Sequence, residues 1–112
     1  MNIIKTSREM NSVELYRMTK NPSIQRMRDI VGVTIQVTDW VQYLDTNQKG
    51  EEHEILSIRD AGGEVYATNS ATFIRSFNEI LDILSGAGEK LDTLVIVQGT
   101  SKAGRPFITC AL

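Results

Sequence analysis

The chain ends in the sequence LVIVQGTSKAGRPFITCAL, Leu94 to Leu112, which we interpret as one β-hairpin. Leu94–Gln98 and Pro106–Leu112 are rich in β-branched and apolar residues, as extended strands are. The loop between them, Gly99–Arg105, holds two glycines, which supply the backbone freedom of a tight reversal, and two cations. Such a loop can set its cations against a polyanion, but lysine and arginine at a hairpin tip also simply discourage edge-to-edge pairing. The rest of the chain must decide between these two interpretations.

The amino-acid composition limits the class of protein to which this chain can belong. A chain of 112 residues, 41% hydrophobic and 23% charged, is typical of one soluble globular domain with a modest core. It has no twenty-residue apolar run and no signal-peptide pattern, so we expect a cytoplasmic protein that does not contact a membrane. The formal net charge of −2 argues against coating duplex DNA by bulk positive charge, although it leaves room for a local basic groove.

The sequence predicts no cofactor, no metal site and no enzyme. Cys110 is the single cysteine, so an internal disulfide is impossible, and its apolar surroundings favour a small buried side chain over a nucleophile. Asp45–Gly50 begins like a calcium loop, but Lys49 and Leu56 stand where oxygen ligands are needed. The only histidine, His53, has no partner in the local pattern, and no nucleophile–base pair is evident.

Residues 1–29 are predicted to form an N-terminal arm that is partly helical. Asn11 or Ser12 can cap a short helix, Val13–Met18, and the chain leaves it before Pro22. The arm is the one basic section of the chain, with six cations against three anions: Lys5, Arg8, Arg17, Lys20, Arg26 and Arg28 against Glu9, Glu14 and Asp29. It is either a solvated, partly mobile terminus or a segment that docks on a neighbouring subunit or follows a phosphate backbone.

A long strand is predicted over Val31–Leu44, where apolar residues alternate with glycine, threonine and glutamine up to Val37. Beyond Val37 the alternation fails, because an aspartate falls on the apolar side and Trp40 falls on the polar side. Either a β-bulge near Thr38 and Asp39 turns Trp40 inward, or its ring stands on a surface meant for something flat.

The remaining elements follow from turn residues and periodicity. A strand over His53–Arg59 lies between turns at Asp45–Gly50 and Asp60–Glu64, and a short strand, Val65–Thr68, follows. Asn69 or Ser70 caps the one strong helix, which ends near Leu84. Its apolar stripe is Phe73, Ile74, Phe77, Ile80, Leu81 and Leu84.

The order strand, strand, strand, helix, strand, strand is that of the five-stranded oligonucleotide/oligosaccharide-binding (OB) barrel. We therefore predict an all-β fold with one helix, in which residues 30–112 form the barrel domain. In this fold, strands two and three build the ligand face, and the loops joining strands one to two and four to five flank it. Those loops are the turns that carry Lys49 and Lys102.

Three segments resemble the single-stranded-DNA-binding proteins of protein-primed phages of Gram-positive bacteria and related mobile elements. They are Val97–Gly104 (VQGTSKAG), Gln42–Leu44 (QYL) and Val65–Ala67 (VYA). The resemblance extends from about Gly32 to Leu112 and implies an OB barrel that coats single-stranded DNA during replication in the host cytoplasm. It also implies that Tyr43 and Tyr66 contact DNA. Where the family has a tyrosine in the first hairpin turn, this chain has Asn47 or Gln48.

Stacking on bases and pairing with phosphates is the mechanism expected for such a barrel, largely without sequence preference. We predict Trp40, Tyr43, Tyr66 and Phe107 as aromatic platforms, and Lys49, Arg59, Lys102 and Arg105 as phosphate contacts. The expected partners are single-stranded DNA and further copies of the chain, joined through the N-terminal arm in an oligomer or cooperative filament. The alternative is a non-enzymatic module of the same fold that binds a protein partner or takes part in assembly.

Overall fold

The computed structural model describes residues 1–112 as mostly β structure with two α-helices. In chain order the elements are β1 (Asn2–Thr6), α1 (Ser12–Thr19), β2 (Gln25–Arg26), a 3-10 helix (Met27–Ile30), β3 (Thr34–Thr46), β4 (Glu52–Asp60), β5 (Val65–Thr68), α2 (Ala71–Gly86), β6 (Thr93–Thr100) and β7 (Pro106–Ala111). The predicted number of five strands is therefore wrong, because the N-terminal segment adds β1 and β2 to the sheet. Neither helix combines the length and hydrophobicity needed to cross a membrane.

The sheet curls into a half-barrel around β3. Its strand order is β2-β5-β4-β3-β6-β7, and β1 pairs with β3 outside that path. The first residues of β3, Thr34–Gln36, pair with β6, whereas the segment from Val37 onward pairs with β4. One bent strand thus belongs to both halves of the sheet, an arrangement consistent with an OB-like fold.

A β-bulge lies in β3 between Val37 and Asp39, where the register against β4 shifts. The extra residue reverses the alternation of side chains, since each residue of a strand points to the opposite face from its neighbour. Val37 and Trp40 consequently both pack against the main core inside the curl, while Val41 and Tyr43 belong to a second cluster on the outer face. Of the two interpretations of Trp40, the bulge that turns it inward is confirmed.

Two hydrophobic clusters hold the molecule together. The main core lies between the inner face of the sheet and α2, and is centred on fully buried side chains such as Leu56, Phe73, Phe77 and Leu94. The second cluster comprises Met18, Val41, Tyr43 and Val65, with Leu15 and Ile55 packed against it. Helix α1 therefore covers the outer face of β3, β4 and β5.

Residues 1–29 pack onto the sheet, so the solvated arm that we considered is not what forms. Asn2–Thr6 pairs antiparallel with β3, Gln25–Arg26 pairs parallel with β5, and Met27 is completely buried in the main core. Asn11 caps α1 with a full capping box, its side chain accepting from the Glu14 N–H at 2.9 Å. A functional division of the chain at residue 30 stays a prediction.

The predicted hairpin and long helix are confirmed. β6 and β7 pair from Val95 with Ala111 to Thr100 with Pro106. Ser70 is the N-cap of α2 and accepts a hydrogen bond from the Phe73 N–H at 3.3 Å. The β6–β7 hairpin and the opposite edge of the sheet, formed by β2 and β5, are not paired with each other.

Candidate nucleic-acid interface

A groove of about 860 Å³ lies where the edge of the sheet formed by β2 and β5 faces the β6–β7 hairpin. Thirteen residues line it: Arg26, Met27, Arg28, Val31, Ile55, Ala67, Thr68, Asn69, Ser70, Gln98, Pro106, Phe107 and Ile108. Two are arginines, one is a half-buried aromatic ring, and none is a carboxylate. We call this surface the seam groove.

A second groove, of about 490 Å³, has the opposite character. It lies between the start of β4 and α2, and its lining includes the carboxylates Glu52, Glu54, Glu79 and Asp82 against a single arginine, Arg75. The net charge of −2 is therefore unevenly distributed: acidic groups collect in this smaller groove and are absent from the seam groove. A polyanion is attracted to the seam groove and repelled by the acidic one.

Phe107 is held in the seam groove by the residue opposite it. Gly99 pairs with Phe107 across the hairpin. A Cβ atom built on Gly99 would lie 2.8 Å from Cε2 of Phe107, closer than real Cβ atoms approach other heavy atoms. The ring thus occupies the space that any other residue at position 99 would fill, and the missing side chain of Gly99 fixes where the ring lies.

The tip of the β6–β7 hairpin is a defined turn that carries Lys102 and Arg105. The Ser101 N–H donates to the Arg105 carbonyl at 2.8 Å, and the Arg105 N–H donates to the Ser101 hydroxyl at 3.1 Å. Gly104 has a φ of 79°, a conformation that glycine adopts readily. Both cations are exposed and take part in none of the five ion pairs of the molecule. Arg105 directly precedes Pro106, which lines the seam groove.

Lys49 is also exposed and unpaired, on the turn between β3 and β4. That turn is organised by the Asn47 side chain, whose oxygen accepts from the N–H groups of Lys49 and Glu51 at 2.9 and 3.0 Å. Lys49 is not among the residues that line the seam groove. No group of three or more His, Cys, Asp or Glu side chains is arranged to hold a metal ion.

Arg59 belongs to an ion-pair network rather than to a free basic surface, and its role as a phosphate contact stays a prediction. Asp39 is buried on the outer face, where it accepts hydrogen bonds from Arg59 and from the Nε of Arg8 at 2.9 Å. Burial alone would raise the pKa of the Asp39 carboxyl, but the bonds from Arg8 and Arg59 outweigh burial and hold that pKa below its usual value. Arg8 also pairs with Glu14, so the network ties the N-terminal segment to the sheet.

Trp40 and Tyr43 likewise do not stand free on an open face of the sheet, and their stacking roles stay predictions. The Trp40 ring meets Phe77 of α2 edge to face, with centroids 5.4 Å apart. Tyr43 is only 3% exposed beneath α1, and its hydroxyl donates to the Thr19 carbonyl at 3.3 Å. Burial raises the pKa of the Tyr43 hydroxyl. The bulge places Tyr43 on the outer face, but α1 then covers that face.

Tyr66 pairs with Ile58 and points into the curl, where it is half-buried against the main core. Burial, followed by the nearby carboxylates of Asp60 and Glu64, raises the pKa of its hydroxyl. These carboxylates make its surroundings unsuited to a phosphate. A contact between Tyr66 and DNA stays a prediction.

Of the eight candidate residues, Lys102, Arg105 and Phe107 come together on one hairpin, at one end of the seam groove. Arg26 and Arg28 are not among these eight candidates, yet they line the same groove from the opposite edge of the sheet. The excess of cations in residues 1–29 was the available signal. The two-residue strand β2, which brings Arg26 to β5, and the four-residue 3-10 helix that carries Arg28 are too short to leave a periodic pattern.

Comparison with known proteins gives a match to a family model. No curated protein and no solved structure matches the chain. A family model described as "Phage Single-stranded DNA-binding protein" matches residues 2–112, including the N-terminal segment that the sequence motifs did not cover. The match confirms the family suggested by those motifs and spans nearly the whole chain. The chain belongs to the phage single-stranded-DNA-binding protein family.

Proposed function

We propose that this protein coats single-stranded DNA during replication of a phage or mobile element, without strong sequence preference and without catalysis. The observation that carries the proposal is the seam groove: it has two arginines, an aromatic ring and no carboxylate in a chain whose net charge is −2. Family membership supports single-stranded DNA as the partner. We place the protein in the host cytoplasm, where such DNA is made.

The chemistry of the ligand matches this groove. An unpaired strand offers flat base faces, which stack on aromatic rings for about 1–3 kcal/mol per base whatever the base. It also offers a phosphate backbone, which pairs with cations and releases counterions. We propose Phe107 as a base platform and Lys102 and Arg105 as phosphate contacts at the hairpin tip, with Lys49 on the β3–β4 turn as a further phosphate contact. We leave out Trp40, Tyr43 and Arg59, whose side chains are engaged within the fold.

We further propose that the fold is an OB barrel to which the N-terminal segment has been added. The pairing of β3 with both β4 and β6, and the position of α2 between β5 and β6, support this assignment. The seam groove then lies beside the second and third barrel strands, β4 and β5, and the β6–β7 turn flanks it as the loop between the fourth and fifth.

Cooperative coating requires contacts between neighbouring copies, and we propose β1 for that contact. β1 pairs with β3 along one edge, and its other edge is unpaired. Ile3 and Ile4 are 40% and 47% exposed there, which is unusual for a free strand edge in a protein that acts alone. Ile4→Lys should leave the affinity for a short oligonucleotide unchanged and reduce cooperativity on long poly(dT). Equal cooperativity in both proteins would exclude this contact.

Fluorescence anisotropy with labelled oligo(dT) tests the function. We expect the protein to bind the single strand more tightly than a duplex of equal length, and the affinity to fall as salt rises. Lys102→Glu combined with Arg105→Glu should weaken binding by at least tenfold, on the order of two lost phosphate contacts. Arg75→Glu, in the acidic groove, is the matched control and should have little effect.

The alternative, an assembly module that binds protein, predicts a different result. Wild-type protein would then show no salt-dependent retention of oligo(dT) even at low ionic strength. It would also not distinguish single strands from duplexes. That outcome would overturn the proposed function, whatever the variants do.

A further inference from the structure

We infer that Arg28 and Phe107 form a clamp for one nucleotide across the seam groove, and that Gly99 is the positioning residue that sets the Phe107 ring. The inference rests on the proposed function. It assigns the groove a phosphate contact on the N-terminal segment and a base contact on the hairpin, two elements that are far apart in the sequence.

Arg28 is the free cation of the groove. Its neighbour Arg26 pairs with Asp29 at 3.3 Å, which engages both of those charges with each other. Arg28 is exposed and belongs to no ion pair, so its guanidinium is available to a phosphate. The 3-10 helix that carries it is anchored by the completely buried side chain of Met27, which precedes it directly.

The partner surface is the Phe107 ring, which lines the same groove from the β6–β7 hairpin. A flat ring opposite a guanidinium offers the two contacts that a nucleotide requires, a stacking face for the base and a charge for its phosphate. The groove also contains the amides of Asn69 and Gln98 but no carboxylate that would repel the backbone. Its volume, about 860 Å³, is within the range of sites that enclose small ligands.

Gly99 acts on this site through the ring. Any side chain at position 99 would occupy the space of Cε2 and its neighbouring ring atoms, and would push Phe107 out of place. The φ angle of Gly99 is not positive, so alanine fits the backbone and the ring is what it displaces. Gly86 offers a matched control, because its φ angle is also not positive and a Cβ there meets nothing within 4 Å.

Salt-dependent binding of oligo(dT) separates the two contacts. Arg28→Ala should weaken binding several-fold and make the slope of log K against log salt shallower by about 0.7, the value of one single-strand phosphate contact. Arg28→Lys should keep the slope. Arg75→Ala, an exposed arginine in the acidic groove, should change neither quantity. An Arg28→Ala protein with wild-type affinity and slope would overturn the assignment of Arg28.

The ring and its positioning residue are tested by a double-mutant cycle. Phe107→Leu and Gly99→Ala should each weaken binding on the order of tenfold with the salt slope unchanged, since stacking is lost but no charge. The double variant should bind no worse than Phe107→Leu alone, because Gly99 acts only through the ring. If the losses of binding free energy add in the double variant, the positioning role of Gly99 is wrong. This holds even if the substitution also loosens the hairpin. If the wild-type protein binds oligo(dT) and the two single variants and the double variant bind it equally well, the clamp is wrong while the proposed function stands.

Discussion

Trp40 contributes its ring to the core because one extra residue in β3 reverses the side-chain alternation. The ring packs against the main core and meets Phe77 of α2 edge to face. Aromatic pairs of this kind add about 0.5–1.5 kcal/mol beyond the area that they bury. The side chain is therefore a component of stability.

Trp40→Ala should destabilise the protein by about 3 kcal/mol, since truncating a large core aromatic removes both burial and contacts. Urea unfolding measures the change, with the affinity of the residual folded protein for oligo(dT) measured under native conditions. We expect lower stability and unchanged affinity. Lower affinity at unchanged stability would restore the tryptophan as a DNA contact.

Cys110 is another side chain of the main core, and it carries a reactive thiol. It is 7% exposed in the main core, and burial raises the pKa of its thiol to about 12. The native protein should therefore react with a thiol reagent at pH 8 far more slowly than the protein in denaturant, because the thiolate is scarce and enclosed. Equal rates in both conditions would contradict the packing of β7 against α2.

At the scale of elements, helix α1 determines which face of the sheet is available. Its buried residue Met18 packs against Val41 and Tyr43, and Lys20 at its end pairs with Asp45 of β3. The outer face of β3 and β4, which an OB barrel would offer to a ligand, is consequently occupied by the protein's own helix. The open surface is then the seam groove on the other side of β5.

Met18→Ala should cost about 3 kcal/mol of stability, as truncation of a buried methionine does. Val13→Ala on the same helix is the matched control, since Val13 is 56% exposed and alanine favours helix. Thermal unfolding followed by circular dichroism measures both. Equal melting temperatures for the two variants would mean that α1 does not pack on the sheet in solution.

Local patterns predicted those elements whose signal is local. The apolar stripe of α2 with its Ser70 cap and the glycine-containing β6–β7 hairpin appear as expected, and the bulge after Val37 is one of the two alternatives that the sequence left open. β1 was missed because Asn2–Thr6 is short and largely exposed, so that it shows no alternation. The burial of Tyr43 depends on docking of residues 1–29, a long-range contact that no window of sequence contains. Arg28 was missed for the same reason. The pairing of Arg59 with Asp39 depends on the register between β3 and β4, which the bulge shifts.

At the scale of the whole molecule, some charged side chains stabilise the fold by pairing with each other, and others have no partner within the fold. The pairs of Arg8 with Asp39 and of Lys20 with Asp45 fix the N-terminal segment to the sheet, and Arg59 of β4 pairs with the same Asp39. The cations left without partners include Arg28, Lys49, Lys102 and Arg105. Internal pairing thus engages Arg8, Lys20 and Arg59 within the fold, whereas Arg28 in the seam groove and the lysines and arginine of the two turns stay unpaired.

The paired carboxylates make the free energy of unfolding depend on pH. The pKa values of Glu14, Asp39 and Asp45 are all lowered: Glu14 and Asp45 chiefly by hydrogen bonds from Arg8 and Lys20, and Asp39, against the effect of its burial, by Arg8 and Arg59. A carboxyl with a lowered folded-state pKa stabilises the protein above its unfolded pKa of about 4 and loses that contribution as pH falls through the folded value. We expect the free energy of unfolding to be constant from pH 7 to about 5 and to fall steeply below 4.

Asp39→Asn identifies the main contributor. The substitution should cost about 2 kcal/mol at pH 7, because two arginines then face a neutral amide, although water reaches both of them and limits the loss. As pH falls through the lowered pKa of Asp39, the wild-type carboxyl is itself protonated, so the two proteins should converge in stability and the variant should show the shallower pH dependence. Asp82→Asn, on the exposed side of α2, is the control. Parallel pH curves for wild type and Asp39→Asn would place the acid sensitivity elsewhere and leave the N-terminal segment held by its apolar contacts alone.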